Sequence, residues 1–354
     1  MKKITAILTI MLVSVGIAAC TPSTDSQKSE ITNENVKTIQ SPHFFLNSVL
    51  SINILDDRND KEKLDNEISD MVQGYEEKFT VSSDTSEVSK ISKNSGVSPV
   101  KVSKDTFELI KKSIYFSQLS SGAFDITLEP LVVLWGIGTE HPKVPSEKEI
   151  KKAVSLINYD KIELDENNQT VYMKNQGMSI DLGGIAKGYV TDKIVDYLRK
   201  KGVKSAIINM GGNIYALGNK SGNPFKIGIR DGFSKNPSDY FCTCNAEDTS
   251  IVSSGIYERN FEHDGKIYHH ILSTQTGYPV DNEIFGTTII CKSSTDADAL
   301  STTVFALGII RGMDLIESLS NTEAIIITKD KKIYLSSGLK GKINITDKSY
   351  KFAE

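Results

Sequence analysis

The chain carries one tryptophan, four cysteines and five histidines in 354 residues. So little cysteine excludes a disulfide scaffold, and Cys242, Cys244 and Cys291 lack the spacing of a zinc site. Cys242 and Cys244 are also too close in sequence to pair easily within one strand. Neither sign of charge is in excess: the net value of −4 argues against nucleic acid as the main partner. Beyond residue 20 no apolar run is long enough to cross a membrane. No repeat of solenoid period is visible. An apolar fraction of 39% still suffices for one large core or two modest ones.

The first twenty residues are distinctive. Lys2 and Lys3 precede an apolar run from Ile4 to Val15, and small residues lead to Cys20, the anatomy of an export signal. Ile17-Ala18-Ala19-Cys20 resembles a bacterial lipoprotein box, in which the cysteine thiol takes a diacylglycerol and becomes the new N-terminus. Two acyl chains give stable anchoring. Residues 1–19 are therefore expected to be a lipoprotein signal peptide and Cys20 the lipidated residue. Residues 20–40, polar and without period, are expected to be a flexible tether, and 41–354 the folded domain. The expected location is the extracytoplasmic face of the bacterial cell membrane. A simple secreted protein with a chance cysteine is the alternative.

Along the domain, residues 44–55 read as the first strand, and 61–79 as an amphipathic helix with Leu64, Ile68, Val72 and Phe79 on one face. Residues 80–98 read as a loop, 104–119 as a second helix, 146–158 as a third and 161–174 as a hairpin. Strands follow at 205–210 and 213–217, then short alternating strands from 225 to 291, a helix with Ser294 or Thr295 as its N-cap, and strands near 323–328, 331–336 and 341–345. Helices and strands without a strict βαβ repeat predict an α+β fold in a single domain of mainly antiparallel strands. Trp135 reads as a core aromatic.

The chain is organised around residues 179–189, SIDLGGIAKGY. An apolar strand end at 178–182 carries Asp181, breaks at Gly183-Gly184 and enters a helix that closes at Lys200, Lys201 and Gly202. A carboxylate, a glycine break and a lysine one turn into a helix suit a phosphorylated ligand, because free N–H groups and the positive end of the helix dipole face the turn. The spacing is neither that of the dinucleotide fingerprint nor that of the P-loop. An ordinary turn with a capping carboxylate is the competing account.

Three further places bear chemistry. Asp125 lies in a glycine-bounded turn, Gly122-Ala123-Phe124-Asp125. Asp298 and Thr302, four apart, share a helix face and offer carboxylate and hydroxyl oxygens to a hard cation. The competing account is a well-capped helix with an apolar face at Ala299, Val304, Phe305 and Leu307; in either case Asp298 is expected to be an exposed first-turn carboxylate. His269 and His270 are adjacent in a strand, so they point to opposite faces and at most one serves a site.

Together the blocks GAFD (122–125), DLGGIAKGY (181–189), SSG (253–255) followed by TGYPV (276–280), and DADALSTTVFALG (296–308) resemble, in order, those of the ApbE-type FAD:protein FMN transferases. The likeness spans roughly residues 44–345. It implies a Mg²⁺-dependent enzyme that splits FAD, transfers FMN to a threonine or serine hydroxyl of a target flavoprotein and releases AMP. It also implies that Ala123, Phe124, Asp125, Asp181, Lys187 and Leu272 bind FAD. Gly184, through its carbonyl, with Asp298 and Thr302, would hold Mg²⁺, and His270 would be the base. The implied partners are secreted or membrane flavoproteins. Where the family commonly has Ile-Asp-Pro before the TG turn, this chain has Leu272-Ser273-Thr274, and where it often has Met-Gly-Thr this chain has Leu46-Asn47-Ser48. Two other functions use the same residues: an FAD pyrophosphatase with water as acceptor, and a lipoprotein that binds flavin without catalysis.

Overall fold

In the computed structural model, residues 39–353 are described. The expected signal peptide, Cys20 and most of the expected tether lie outside them. Ile39 and Gln40, placed in the tether from sequence, already belong to a strand.

The frame is a nine-stranded sheet whose strands lie side by side in chain order. They are β1 (Ile39–Phe45), β2 (Ser48–Ile54), β3 (Ser205–Met210), β4 (Asn213–Gly218), β5 (Thr249–Gly255), β6 (Ile284–Cys291), β7 (Glu323–Thr328), β8 (Lys332–Leu335) and β9 (Lys351–Phe352). Every neighbouring pair is antiparallel except β8 and β9. The helices are α1 (Lys61–Phe79), α2 (Glu87–Lys93), α3 (Lys104–Leu119), α4 (Glu129–Trp135), α5 (Glu147–Val154), α6 (Ala186–Lys200), α7 (Ser294–Leu307) and α8 (Ile309–Ser318).

Period-two alternation gives the sheet two apolar faces. Leu50, Ile52, Ile208, Val252, Ile289 and Ile326 join the larger core with α1, α6 and α7. Ala216, Ile251, Ile325 and Ile327 join a second core with the strands Phe225–Arg230 and Tyr240–Ala246. Cys242 and Cys244, two apart, both point into that second core, where burial raises their thiol pKa values and keeps them protonated and inert. The result is a single α+β domain of three layers.

Several expectations needed correction. Residues 44–55 form two strands, because Leu46 and Asn47 both take positive φ (45° and 60°) and make a tight hairpin turn. The supposed loop at 80–98 contains α2, capped by the Ser86 hydroxyl and held by buried Val88 and Ile91. A surrounding run of Ser, Thr and Lys hid that short apolar face. The helix expected at 146–158 stops at Val154; its start is fixed by a capping box of Ser146 and Glu149, which the expectation did not include. Residues 178–182 are not a strand, and α7 is capped by Ser293, not by Ser294 or Thr295.

Candidate active site

Four segments distant in sequence meet where α6 approaches α7. In the first, α3 ends at Ser120, whose hydroxyl accepts the Phe124 N–H at 3.0 Å. Asp125 is buried: its Oδ1 accepts the Thr127 N–H (2.8 Å) and hydroxyl (2.7 Å), and its Oδ2 accepts the Tyr159 N–H (3.0 Å). Burial raises its pKa. The Asp125 carboxylate therefore fastens the turn that presents Ala123 and Phe124.

The second segment docks onto the first, as the Asp181 N–H donates to the Ile126 carbonyl at 2.8 Å. The Asp181 carboxylate folds over the glycine turn and accepts the Gly183 N–H at 2.7 Å. A Cβ on Gly184 would sit 3.2 Å from the Phe124 ring and 3.8 Å from the Thr302 hydroxyl, so these three residues share one place. The Lys187 Nζ donates to the Gly183 carbonyl (2.9 Å) and stands 3.7 Å from Asp298 Oδ1.

The third segment is α7. Asp298 is only 3% exposed, which overturns its reading as a solvent-exposed helix-end carboxylate. Its Oδ2 accepts the Gly188 N–H at 2.9 Å. Such closeness requires glycine, since a Cβ there would lie 2.1 Å from the Ser294 carbonyl oxygen. Gly188 is the third residue of α6, so its N–H has no partner within the helix and Asp298 supplies one, while the Gly184 carbonyl, in the turn before the helix, accepts no hydrogen bond among the described residues. The Thr302 hydroxyl makes none either, whereas Ser301 and Thr303 bond back to the Asp298 and Ala299 carbonyls.

These donors fit a hard cation. An open carbonyl at Gly184, an open hydroxyl at Thr302 and the Asp298 carboxylate are all oxygen ligands of the kind Mg²⁺ takes alongside retained waters. No group of three or more His, Cys, Asp or Glu suited to a metal occurs among the described residues, so a cation site here depends on those backbone and hydroxyl oxygens.

The fourth segment runs from 266 to 280. The strand Lys266–His269 pairs with Asn260–His263, and the following turn is closed by the Trp135 indole N–H, which donates to the Gly277 carbonyl at 2.8 Å. Trp135 is fully buried, as expected of a core aromatic. The Thr274 hydroxyl donates to the Gly122 carbonyl at 2.7 Å and ties this segment to the first. Leu272 turns its side chain into the apolar cluster of Leu131, Trp135 and Ile150. His269 is buried against the Phe305 ring, and its Nε2–H donates to the Val280 carbonyl at 3.0 Å. His270 is half-buried. Its Nδ1–H donates to the Arg259 carbonyl at 3.2 Å, which fixes the tautomer and leaves Nε2 with a free lone pair. Burial, and next the Arg259 cation, push its pKa down to about 3, so the ring is neutral at physiological pH.

Sequence reasoning missed two carboxylates. Glu129, at the start of α4, accepts a hydrogen bond from the Ser179 hydroxyl, and burial raises its pKa, with Asp181 adding to the rise. Asp192 accepts the N–H groups of Ser294 (2.7 Å) and Thr295 (2.9 Å) and the Thr295 hydroxyl (2.6 Å). Its place one turn after Gly188 was the available signal.

The fold and the donors it gathers define a class: an α+β protein in which an antiparallel sheet supports an oxygen-lined, lysine-bearing site at the meeting of two helices. Residues 46–326 match the ApbE family, and the chain belongs to that family. A relative from Klebsiella pneumoniae, an FAD:protein FMN transferase, is 36% identical over 289 residues, covering 82% of this chain and 90% of its own. Another FAD:protein FMN transferase, from Treponema pallidum, is 33% identical over 297 residues, covering 79% and 81%. The crystal structure of the ApbE protein from Thermotoga maritima superposes with a TM-score of 0.78 at 30% identity, covering 86% of this chain and 99% of that one.

Proposed function

We propose that the protein is an FAD:protein FMN transferase that requires Mg²⁺, attaches FMN to a threonine or serine hydroxyl of an acceptor flavoprotein and releases AMP. The named activity of relatives 36% and 33% identical over most of the chain supports it. The single structural observation that carries it is the open Gly184 carbonyl, in a turn beside the open Thr302 hydroxyl and the Asp298 carboxylate. A protein that only stored flavin has no need of a cation site beside Lys187.

Gly184, Asp298 and Thr302 would hold Mg²⁺, which when bound neutralises charge on phosphate oxygens. Phe124 and the Asp181 turn line the place for the dinucleotide, and Lys187 supplies a fixed positive charge. His270, with Nδ1–H anchored, keeps Nε2 free to take the proton of the attacking hydroxyl. Positioning and electrostatics of this kind are what phosphoryl transfer needs.

The reading includes a lipid anchor at Cys20 on the extracytoplasmic face, where exported flavoproteins would be the acceptors. Cys20→Ala is expected to move the protein from the membrane to the soluble fraction with activity intact, and a variant that stays membrane-bound would refute the anchor. The test of the activity is incubation with FAD, Mg²⁺ and a flavoprotein acceptor, read as flavin fluorescence retained by the acceptor in a denaturing gel. Omission of Mg²⁺ should abolish the signal.

A further inference from the structure

We propose that Arg259 binds the pyrophosphate of the dinucleotide and holds it beside His270. The inference rests on the FAD-dependent reading above and adds a residue to it.

Of the five arginines, Arg58, Arg199 and Arg230 are engaged by Asp60, Asp248 and Glu258, while Arg311 on α8 and Arg259 pair with no acidic side chain among the described residues, and of these two only Arg259 stands beside His270. The Arg259 guanidinium has no hydrogen bond or ion pair among the described residues, although Glu258 is its neighbour in sequence. That carboxylate is taken by Arg230 at 3.3 Å. The side chain is exposed at its tip, but its stem is placed. It crosses Gly138, where a Cβ would lie 3.0 Å from Arg259 Cδ and where φ is +87°. Glycine at 138 serves both the left-handed backbone and the passage of the stem.

The same residue orients the candidate base. The Arg259 carbonyl accepts the His270 backbone N–H (3.1 Å) as well as its Nδ1–H (3.2 Å). The guanidinium is thus carried by the residue that locks the imidazole, and its charge is felt there. Arg259 and Lys187 both lower the His270 pKa. The Arg259 guanidinium lacks a counter-ion, and its own carbonyl holds the imidazole in place. An anion with several acceptor oxygens, bound between Arg259 and Lys187, completes this arrangement. A guanidinium suits it because its planar fork meets two phosphate oxygens at once.

Arg259→Gln and Arg259→Lys test the role cleanly, because the backbone carbonyl that holds His270 is kept in both. Binding of FAD, ADP and riboflavin to the full chain is measured at saturating Mg²⁺, by flavin fluorescence for the two flavins and calorimetry for ADP. For Arg259→Gln the Kd for FAD and ADP is expected to rise about tenfold or more, the loss of one charge-assisted contact. Arg259→Lys should fall between, and riboflavin, which has no phosphate, should bind unchanged. An unchanged FAD Kd, or an equal loss for riboflavin, would overturn the proposal. The two readings fail separately. If wild-type protein labels no acceptor yet its ADP affinity depends on Arg259, the transferase reading falls and the anion site stands. If Arg259→Gln labels acceptor with an unchanged KM for FAD, the reverse holds.

Discussion

Asp192 and Asp298 cap each other's helices. Asp298, on α7, accepts the N–H of Gly188 at 2.9 Å, and Asp192, on α6, accepts the N–H of Ser294 at 2.7 Å. Each carboxylate lies one turn after the residue whose N–H the other takes. First-turn N–H groups that have no partner within their own helix are thereby satisfied across the contact. Gly188, with no room for a Cβ against Ser294, lets the two helices come that close. The clasp also sets the distance between the glycine turn of one helix and the Asp298–Thr302 face of the other, and so gathers the donors of the site.

Asp298→Ala should abolish transfer and also destabilise the protein. A buried carboxylate that satisfies a backbone N–H is removed, at a cost of about 1–3 kcal/mol. Asp298→Asn keeps a capping oxygen but loses the charge beside Lys187. It should retain most of the thermal stability and still lose activity. Thermal unfolding and turnover measured across a Mg²⁺ titration separate the two effects. Wild-type turnover in Asp298→Asn would reduce Asp298 to a structural cap.

His270→Ala should lower turnover by about 10²-fold, the low end for a general base because the depressed pKa weakens it as a proton acceptor, with little change in FAD affinity. His269→Ala should act on stability instead, since His269 is packed against Phe305 and bonded to Val280. Turnover at saturating FAD and Mg²⁺, paired with a melting temperature, assigns each residue. A rate loss in a stable His269→Ala larger than in His270→Ala would move the base by one residue.

The pH dependence follows from the depressed pKa of His270. With a value of about 3 in the folded protein, the ring is already neutral at pH 5, so kcat/KM should show no histidine limb near 6.5. For stability, the unfolded chain binds a proton at His270 near pH 6.5 that the folded chain refuses until about 3. The His270 contribution is therefore full above the unfolded value and is lost as pH falls between the two. His269, also depressed chiefly by burial, acts in the same direction. Melting temperatures of the wild type and His270→Gln should converge as pH falls from 7 to 4. A kcat/KM limb at pH 6–7 that disappears in His270→Gln would show that the free enzyme's imidazole titrates normally.

Much of the fold was legible because burial imposes a period. α1, α3, β3 and the hairpin at 162–173 stand where apolar spacing put them, and the order of strands after residue 205 followed the turn residues. What failed was local. A hairpin turn with no glycine at Leu46-Asn47 carries no composition signal, and α2 has too few apolar residues to announce itself. At the site, sequence singled out Asp298 and Thr302 by their spacing and Gly184 through a family likeness, but it took Asp298 to be exposed. Its burial comes from Gly188 and Lys187, more than 100 positions away, a contact that no local pattern encodes. Asp192 was passed over for the same reason, because the N–H groups it satisfies belong to another helix.

Product analysis of one reaction decides whether FMN is transferred to the acceptor or merely released. Purified protein, FAD, Mg²⁺ and a flavoprotein acceptor with a reactive threonine are incubated, and the acceptor is weighed by mass spectrometry while AMP is quantified. The expected acceptor is heavier by one FMN less water, with one AMP released for each, and neither product forms with Asp298→Asn. AMP and free FMN with an unmodified acceptor would contradict transfer and make the protein a hydrolase.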